Sequence, residues 1–427
     1  MNRSVTGTMI LSILTAAFLA IPLPADDAPA PLLYIERIEI RNAQRVSPDV
    51  VIAESRLREG QEYSEAELRD ASTRLSRLPF LLSVDFALEK GTDRGRHVLV
   101  LTITETKPFF FLVDLQPYVD NGELFTTVET TGAGTTGETL ALGFRWFVGR
   151  RGAVHVGFSG VGASREFTNE YAAFAVGYTQ YDLFGTRAFA TLNLKLPVEG
   201  YGDGALSPEV VVGVPLSANQ TLTLEYEDTR FAPETRTILG QTFEERSGQR
   251  LASAKWSYNT TNEPFFPTRG TLVHATPFAA WTDRSGGTYV TETGVTRGAV
   301  HGEIYGLGVG ATQFWELTDR DSVWGDLRGE WSRIDQRGAV SEFFASEHTS
   351  RYGSIGAGYS RSLWSREERA NGGDSRIELT ARFSNRTRRV EDENFFVPHS
   401  HDVRQVGAAW LRRTSWGTLR LGAGYAW

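Results

Sequence analysis

The spacing of hydrophobic positions changes near residue 107, and this change divides the chain into two parts. Before it, apolar residues alternate over Tyr34 to Asn42, with Ile38 and Ile40 on one face, and then recur at helical spacing. After Pro108, about 320 residues form short alternating segments separated by glycine, asparagine, aspartate and charged residues. The pattern predicts a small mixed domain over residues 32–106 and an all-β unit over residues 107–427.

Two helices are predicted after the first strand. A serine followed by Pro48 is typical of a helix start, and this helix should run to Leu57, with Gly60 as its C-cap. Ser64 and Glu67 form a capping-box pattern at the start of the second helix. The apolar stripe of that helix, which ends at Pro79, consists of Leu68, Ala71, Leu75 and Leu78.

A β-hairpin completes the first unit. The apolar positions of its first strand are Leu82, Val84, Phe86 and Leu88. A turn over Lys90 to Gly95 leads to a second run from Val98 to Ile103. The order β-α-α-β-β predicts a small α+β domain with a three-stranded sheet, whose edges must be unpaired or covered. The Leu82 to Leu88 strand is therefore our candidate for binding an extended client or partner segment; the alternatives are a spacer or a docking plug.

The second unit has the pattern of a transmembrane antiparallel β-barrel. One segment places Leu140, Leu142, Phe144 and Trp146 on a single face, as a strand with one lipid-facing side should. At about 20 residues per strand and connection, the length predicts about 16 strands, and twelve or fourteen with longer loops also fit. Further segments of this kind are Tyr171 to Tyr181, Arg187 to Leu196, Leu222 to Tyr226, Val273 to Trp281, Ile304 to Phe314, Val323 to Trp331, Ile355 to Leu363, Ile377 to Phe383 and Val403 to Leu411.

The last segment has the clearest pattern. Leu419, Leu421, Ala423, Tyr425 and Trp427 form an unbroken apolar face. A strand of this kind can be templated by assembly machinery and can then pair with the first strand, Phe109 to Tyr118, which removes the barrel's only edge.

Composition and the N-terminus agree with an exported protein. Residues 1–25 have one positive residue, an apolar stretch and then small residues and prolines, the layout of a cleaved signal peptide. The chain has no cysteine, which excludes disulfides and an N-terminal lipid anchor on cysteine. A net charge of −8 gives no basic footprint for nucleic acid.

Together these units resemble the POTRA-plus-barrel superfamily of bacterial outer-membrane assembly and translocation factors, here with one POTRA domain. The element order of residues 32–106 resembles a POTRA domain, and the last strand resembles the outer-membrane β-signal through Arg420, Gly422, Tyr425 and Trp427. The proline-rich segment from Asn259 onwards is similar to a structural periplasmic turn of the family; its residues are Pro264, Pro267, Arg269 and Gly270. The resemblance implies an outer-membrane barrel with its N-terminal domain in the periplasm.

One family feature is degenerate. Active members carry an Arg-Gly-aromatic tip on a loop that folds into the lumen, whereas the corresponding region, residues 341–353, has Arg351, Tyr352 and Gly353 in another order. Arg328 is followed by Gly329 and Glu330, which lacks the aromatic residue and lies in a strand-like run. Insertase or translocase activity is in question for this reason.

The sequence contains no motif that supports a catalytic or metal-binding site. His399 and His401 lack a third ligand and are expected in a solvated loop. Carboxylate clusters such as Glu225 to Asp228 are expected in water-exposed turns, and neither a nucleophile elbow nor a phosphate-binding glycine loop occurs. We therefore expect no enzyme, no catalytic residue, no cofactor and no metal.

Two functions fit these observations. The first is a barrel that assists folding, insertion or translocation of outer-membrane or surface polypeptides by strand pairing. Its partners would be the outer-membrane bilayer, unfolded outer-membrane or secreted polypeptides and periplasmic accessory proteins. The second is a passive channel or structural barrel that keeps the first domain as a plug or tether. A weak pairing between the first and last barrel strands would favour the first function, since it leaves strand edges available to a client.

Overall fold

The structure is a computed structural model of the 427-residue chain. It describes residues 31–427 except 77, 79, 116–117, 121–122, 126–128, 132–133, 137–138, 162–170, 198–203, 218, 232, 239–240, 263–265, 292–293, 339–345, 365–368, 370–372, 392–398 and 427. The predicted signal peptide, Pro264 and Trp427 lie outside the described residues.

The first domain is a four-stranded sheet covered by two helices. Its elements are β1 (Leu32–Arg41), α1 (Pro48–Ser55), β2 (Gln61–Ser64), α2 (Glu65–Ser76), β3 (Leu81–Lys90) and β4 (Arg96–Glu105). The strand order is β2-β1-β4-β3, with β1 parallel to β4 and the other pairs antiparallel. The sheet therefore ends on β2 at one side and on β3 at the other. Among the described residues, no helix is long and apolar enough to cross a membrane.

Both predicted helices are present in the structure, but one predicted helix cap and the predicted number of strands differ from it. The capping box is present: the Ser64 backbone N–H donates to Glu67 Oε2 at 2.7 Å, and the Glu67 N–H donates to Ser64 Oγ at 3.3 Å. The predicted cap at Gly60 is wrong, because α1 ends earlier, at Arg56 with a left-handed φ of 60°. The predicted three-stranded sheet is also wrong, because β2 adds a fourth strand to the β1 edge.

The core of this domain lies between the helices and one face of the sheet. The fully or almost fully buried side chains include Ile35, Val50, Val51, Leu68, Leu75, Leu99 and Leu101. Leu68, Ala71 and Leu75 are buried at the spacing that predicted the apolar stripe of α2. Burial of each large side chain contributes on the order of 2 kcal/mol, so this core can hold the small domain together.

The second unit is a closed barrel of fifteen strands among the described residues. Those strands are β5 (Phe109–Leu115), β10 (Thr139–Val148), β11 (Gly152–Val161), β12 (Tyr171–Leu183), β13 (Ala188–Pro197), β14 (Gly204–Pro215), β15 (Gln220–Phe231), β17 (Gln241–Asn259), β18 (Gly270–Thr291), β19 (Gly294–Glu316), β20 (Asp321–Gly338), β21 (Ser346–Ser362), β22 (Asp374–Glu391), β23 (His399–Thr414) and β24 (Gly417–Ala426). Shorter strands accompany them: β6 (Tyr118–Asp120), β7 (Glu123–Phe125), β8 (Glu129–Thr131), β9 (Gly134–Thr136) and β16 (Glu234–Ile238).

Lipid-facing and lumen-facing side chains alternate along the strands. On β13, Leu192 and Leu194 are exposed on the outer face, while Lys195 pairs with carboxylates on the inner one. The same outward band on other strands includes Phe144, Trp146, Phe174, Val176, Val210, Tyr226, Trp281, Tyr305, Trp331, Ile355, Leu379, Val406 and Tyr425. An apolar outer face on a closed barrel with no free edge is the arrangement that a membrane-spanning barrel requires.

The pair that closes the barrel differs from all the other neighbouring barrel pairs, which are antiparallel. β24 runs parallel to β5, with Gly417–Leu421 opposite Phe111–Leu115, and it continues beside β6 at Gly424 and Tyr425. This orientation follows from the strand number: in an up-and-down order of fifteen strands, the first and the last run the same way. We call this β5–β24 pairing the seam.

Candidate functional site at the mouth of the barrel

The predicted client-binding strand lies at an edge of its sheet. Among the described residues, β3 pairs only with β4. Val84 is buried in the core of the domain, and Phe86 and Leu88 are half-buried against the same core. Leu82 is buried at the register shift of β3, beside barrel residues, and Ala87 is exposed. The alternation that suggested the strand is thus an alternation between core and solvent. A role of this edge in binding a client is a proposal.

The two ends of this edge differ. At the N-terminal end, Arg413 Nη2 of β23 donates to the Leu81 and Leu82 carbonyl oxygens at 3.4 and 3.3 Å. The Ser72 hydroxyl of α2 donates to the Val84 carbonyl at 2.9 Å. The edge of β3 is therefore capped as far as Val84, and the segment 85–90 is the part that a further strand can reach.

The first domain sits against the rim of the barrel. Phe80, just before β3, is only 3% exposed, and its ring makes edge-to-face contacts with Phe147 at 5.0 Å and with Tyr181 at 5.8 Å. Polar contacts lie beside this aromatic cluster: Arg150 Nε is 2.8 Å from Asp49 Oδ2, and Arg56 Nη2 donates to Thr221 Oγ1 at 3.2 Å. With the Arg413 contact, the domain is fastened to β10, β12, β15 and β23.

Two charged groups at this junction have pKa values that burial shifts. Burial raises the pKa of Glu54 to about 7; the Asp182 charge adds to the effect and the Arg56 charge opposes it. Burial also lowers the pKa of Arg74 to about 10, helped by the charge of Arg56. Arg74 Nη2 donates to the Ser55 carbonyl at 2.8 Å, which ties α2 to the end of α1. Because burial disfavours the charged form of Glu54, the docked domain is less stable at a pH where this carboxyl group is ionised.

The proline-rich turn between β17 and β18 folds back into the mouth. Asn262 Oδ1 accepts hydrogen bonds from the Thr268 and Arg269 N–H groups at 3.0 and 3.2 Å, which closes the turn. Phe266 is buried against Ala409 and Leu411 on the inner wall. Pro267 and Arg269 lie in this turn on the domain side of the barrel, as a periplasmic connection would. Gly270 has a φ of 107°, a conformation that favours glycine.

At the seam, the predicted β-signal residues of the last strand face opposite sides of the barrel wall. Arg420 points inward and its Nη2 lies 3.3 Å from Glu378 Oε1, whereas Leu421 and Tyr425 are exposed on the outer face. Gly422 lies between them and is paired with Ala409 of β23. Gly417 has a φ of 149°, and a Cβ there would collide with the Phe111 carbonyl, so the backbones approach closely at this point.

Three expectations about loops are wrong. Arg351, Tyr352 and Gly353 lie within β21 rather than in a lumen loop, and the Arg386 guanidinium lies 5.8 Å above the Tyr352 ring. Residues 341–345 of that region lie outside the described part. His399 and His401 lie in β23, and Glu225 to Asp228 lie in β15. In β15 the carboxylates of Glu225 and Glu227 alternate with the exposed apolar residues Leu224 and Tyr226, so a charged run of this kind can belong to a barrel strand.

The carboxylates of β14 and β15 form part of an ion network inside the barrel. Lys195 Nζ lies 2.8 Å from Glu209 Oε1 and 3.0 Å from Glu227 Oε2, and Asn193 Nδ2 donates to Glu209 Oε2 at 2.5 Å. Carboxylate oxygens of Glu209, Glu225 and Glu227 lie within 4.8 Å of one another. Lys195 supplies one positive charge to this group of three carboxylates.

Sequence reasoning missed the residues that join the two units. Phe80 follows the proline that ends the predicted second helix, Phe147 follows the predicted segment that ends at Trp146, and Tyr181 ends the predicted segment from Tyr171. Their partners are far apart in the chain, so no local spacing reports the contact. Inward-facing aromatic residues at the domain end of two barrel strands are the signal that was available.

Comparisons with known proteins match the first domain to a family model and find distant likenesses among solved structures. Residues 33–106 match the family model described as "POTRA: Surface antigen variable number repeat". No curated protein sequence matches the chain. Among solved structures, the chain is similar to BamA from Haemophilus ducreyi lacking POTRA domains 1–3, with 12% identity, 94% of this chain and 86% of that chain covered, and a TM-score of 0.37.

Two further solved structures are similar to the chain at comparable sequence identity and TM-score. CdiB from Acinetobacter baumannii has 10% identity, coverage of 93% of this chain and 74% of that chain, and a TM-score of 0.38. OmpT of Vibrio cholerae has 10% identity, coverage of 75% and 97%, and a TM-score of 0.32. Likenesses this distant carry no argument about function.

The matched domain and the barrel together define the class of the protein. A domain that matches the POTRA model is joined to a closed barrel with an apolar outer band, so the chain combines a POTRA-type domain with a barrel of the kind that spans a membrane. The predicted fold class is confirmed, with fifteen strands where about sixteen were expected.

Proposed function

We propose that this protein assists the folding, insertion or translocation of outer-membrane or surface polypeptides by pairing with them as strands. The observation that carries the proposal is the seam. An extended client that runs opposite to both β5 and β24 would pair antiparallel with each, which is the pairing found between the other neighbouring strands of the barrel. No covalent step is needed.

The POTRA edge offers a second place for the same kind of contact. Segment 85–90 of β3 has β4 on one side and, among the described residues, no strand on the other. Main-chain pairing at such an edge accepts many sequences, which suits a protein that handles varied clients.

A passive or structural barrel with a plug is the second candidate. Phe80 with its two aromatic partners and the Arg413 contact favour it, since they fasten the POTRA domain to the barrel rim. Under this alternative, the β3 edge and the seam would have no client.

Photocrosslinking in living cells distinguishes the two. A photoreactive residue at Ala87, on the exposed side of β3, and another at Tyr425, beside the seam, should crosslink to nascent outer-membrane or secreted polypeptides. Arg69, which is exposed on α2 and away from both edges, is the matched control and should give no such products. Crosslinks from Ala87 and Tyr425 only within the protein or to lipid would contradict the proposal and favour the plugged barrel.

A further inference from the structure

A groove of about 600 Å³ lies at the rim of the barrel, where the turn before β18 meets the turn between β19 and β20. Its lining consists of Arg269 from the first turn and of residues 313–319 from the end of β19 and the second turn. Both turns are on the side of the barrel that carries the POTRA domain. A groove of this volume is in the range of ligand-binding sites in proteins.

The groove extends onto the outer face of the barrel. The exposed side chains of Tyr305 and Leu307 show that odd-numbered positions of β19 face outward, and Trp315 continues this row. The row becomes polar at Gln313, whose Oε1 accepts a hydrogen bond from the Thr271 hydroxyl at 2.5 Å. On a lipid-facing surface, such a change marks the level at which hydrocarbon gives way to headgroups. The groove therefore lies at headgroup level.

Apolar side chains flank the groove. Trp315 is 49% exposed and Leu317 is 58% exposed, although both belong to the lining. The Trp315 ring lies beside Gly325 of β20, where a Cβ would be 3.7 Å from the ring, so this neighbour has no side chain to cover it. Tryptophan at the edge of an apolar band is typical of a membrane interface. These two side chains can therefore contact the upper part of a lipid's acyl chains.

The groove also carries charges of both signs. The exposed Arg269 brings a guanidinium group to the end of β19, because its neighbour Gly270 pairs with Phe314 in the β18–β19 ladder. The carboxylates are those of Glu316 and Asp319, which are exposed in the same lining. Within the described part of the chain, no ion pair joins this guanidinium to either carboxylate. A ligand with separate negative and positive groups would satisfy both sides.

We propose that this groove binds a phospholipid whose zwitterionic headgroup carries a phosphate and a primary ammonium. Arg269 donates to the phosphate, the ligand that a guanidinium group binds with charge-assisted hydrogen bonds. Glu316 and Asp319 accept hydrogen bonds from the ammonium, and Trp315 and Leu317 contact the acyl chains. The site anchors the POTRA side of the barrel in the bilayer, and its existence does not depend on client binding.

The test compares three phospholipids that have the same acyl chains and different headgroups. The full chain, purified in detergent, is titrated with phosphatidylethanolamine, phosphatidylcholine or phosphatidylglycerol, and bound lipid is counted by native mass spectrometry. Phosphatidylethanolamine should bind about fivefold more tightly than either of the others, because a trimethylammonium group has no N–H to donate and a glycerol group has no positive charge. Equal binding of the three lipids would overturn the proposal.

Two variants assign the two halves of the headgroup. Glu316→Gln should reduce the preference for phosphatidylethanolamine over phosphatidylglycerol about threefold, since the ammonium loses a charged acceptor. Arg269→Gln should weaken binding of all three lipids about threefold or more, since each carries a phosphate. The matched controls are Glu303→Gln and Arg250→Gln, which change exposed residues of β19 and β17 far from the groove and should have no effect. Changes of equal size in the controls would contradict the assignment.

A last comparison separates a membrane lipid from its free headgroup. Glycerophosphoethanolamine has the same phosphate and ammonium but no acyl chains. Even at about hundredfold excess it should not displace phosphatidylethanolamine, because the contacts with Trp315 and Leu317 are missing. Displacement at equal concentration would show a site for a soluble headgroup and would overturn the assignment to a lipid. Neither result depends on whether photocrosslinking detects a client.

Discussion

Glu54 shows how one residue makes the docking of the POTRA domain depend on pH. Its carboxyl group lies at the junction with the barrel, near Asp182 of the rim. Because burial raises its pKa from 4.5 to about 7, its charged form is less favourable in the folded, docked state than in water. The stability available below pH 4.5, where the group is neutral in both states, is therefore lost as the pH rises through about 7.

Glu54→Gln should remove this dependence. At pH 8, the variant should stabilise the junction by roughly 1–3 kcal/mol, since the neutral amide avoids the cost of the buried charge. At pH 5 the effect should be much smaller. Hydrogen exchange of the α1 amides, measured at both values, reports the difference. Glu62→Gln, on the exposed face of β2, is the control, and equal protection of α1 by Glu54→Gln at both pH values would contradict the account.

Gly270 is a second residue whose backbone conformation matters. Its φ of 107° is unfavourable for other residues, and a Cβ there would collide with the Thr260 carbonyl. Gly270→Ala should therefore destabilise the turn by about 1–3 kcal/mol and lower the fraction of heat-resistant barrel in a folding assay. Gly353→Ala in β21 is the control, because a Cβ there meets nothing within 4 Å. A similar loss of heat-resistant barrel in both variants would contradict a specific requirement for glycine at this turn.

At the scale of elements, the parts fixed by neighbouring residues could be predicted from the sequence. The capping box at Ser64 formed as expected because both of its partners lie within one helical turn. Each predicted barrel segment overlaps a strand, with Arg187 and Leu363 one residue beyond β13 and β21, because lipid on one side and lumen on the other impose alternation. The strand β2 was missed, since four residues without an apolar alternation acquire their structure from pairing with β1.

Features that depend on distant partners could not be predicted. β19 extends over Gly294–Glu316, much longer than the apolar core predicted from Ile304 to Phe314, because backbone pairing continues beyond the apolar band. Arg413 of β23 donates to the carbonyl oxygens of Leu81 and Leu82, more than 300 residues earlier, and this contact exists only in the folded chain. Neither the charge nor the spacing of residues along the sequence indicates this contact.

The aromatic contact between Phe80, Phe147 and Tyr181 predicts how firmly the POTRA domain is docked. Phe147→Ala removes the barrel side of this contact and leaves the POTRA core intact, so docking should weaken by roughly 2 kcal/mol. Limited proteolysis of the folded protein should then release the domain faster. Phe158→Ala, which removes a ring packed on Phe174 within the barrel wall, should not affect release. Unchanged release in Phe147→Ala would mean that the domain is held by its polar contacts.

For the whole molecule, the number of strands determines the character of the seam. Fifteen alternating strands force β24 and β5 to run parallel, and parallel pairing is slightly less stable per residue than antiparallel pairing. Among the described residues, β24 pairs with β5 from Gly417 to Leu421 and with β6 at Gly424 and Tyr425. The seam is consequently the place where the barrel would open first.

Locking the seam tests this account most directly. Cysteines at Leu112 and Thr418, which are paired across the seam, can form a disulfide in the oxidising periplasm, and the chain has no other cysteine to interfere. The control pair, Ala408 and Ala423, joins β23 to β24. The account predicts that the seam disulfide abolishes photocrosslinking of client polypeptides at Tyr425 until a reductant is added, while the control disulfide has no effect. Undiminished client crosslinking with the seam locked would contradict strand pairing at the seam.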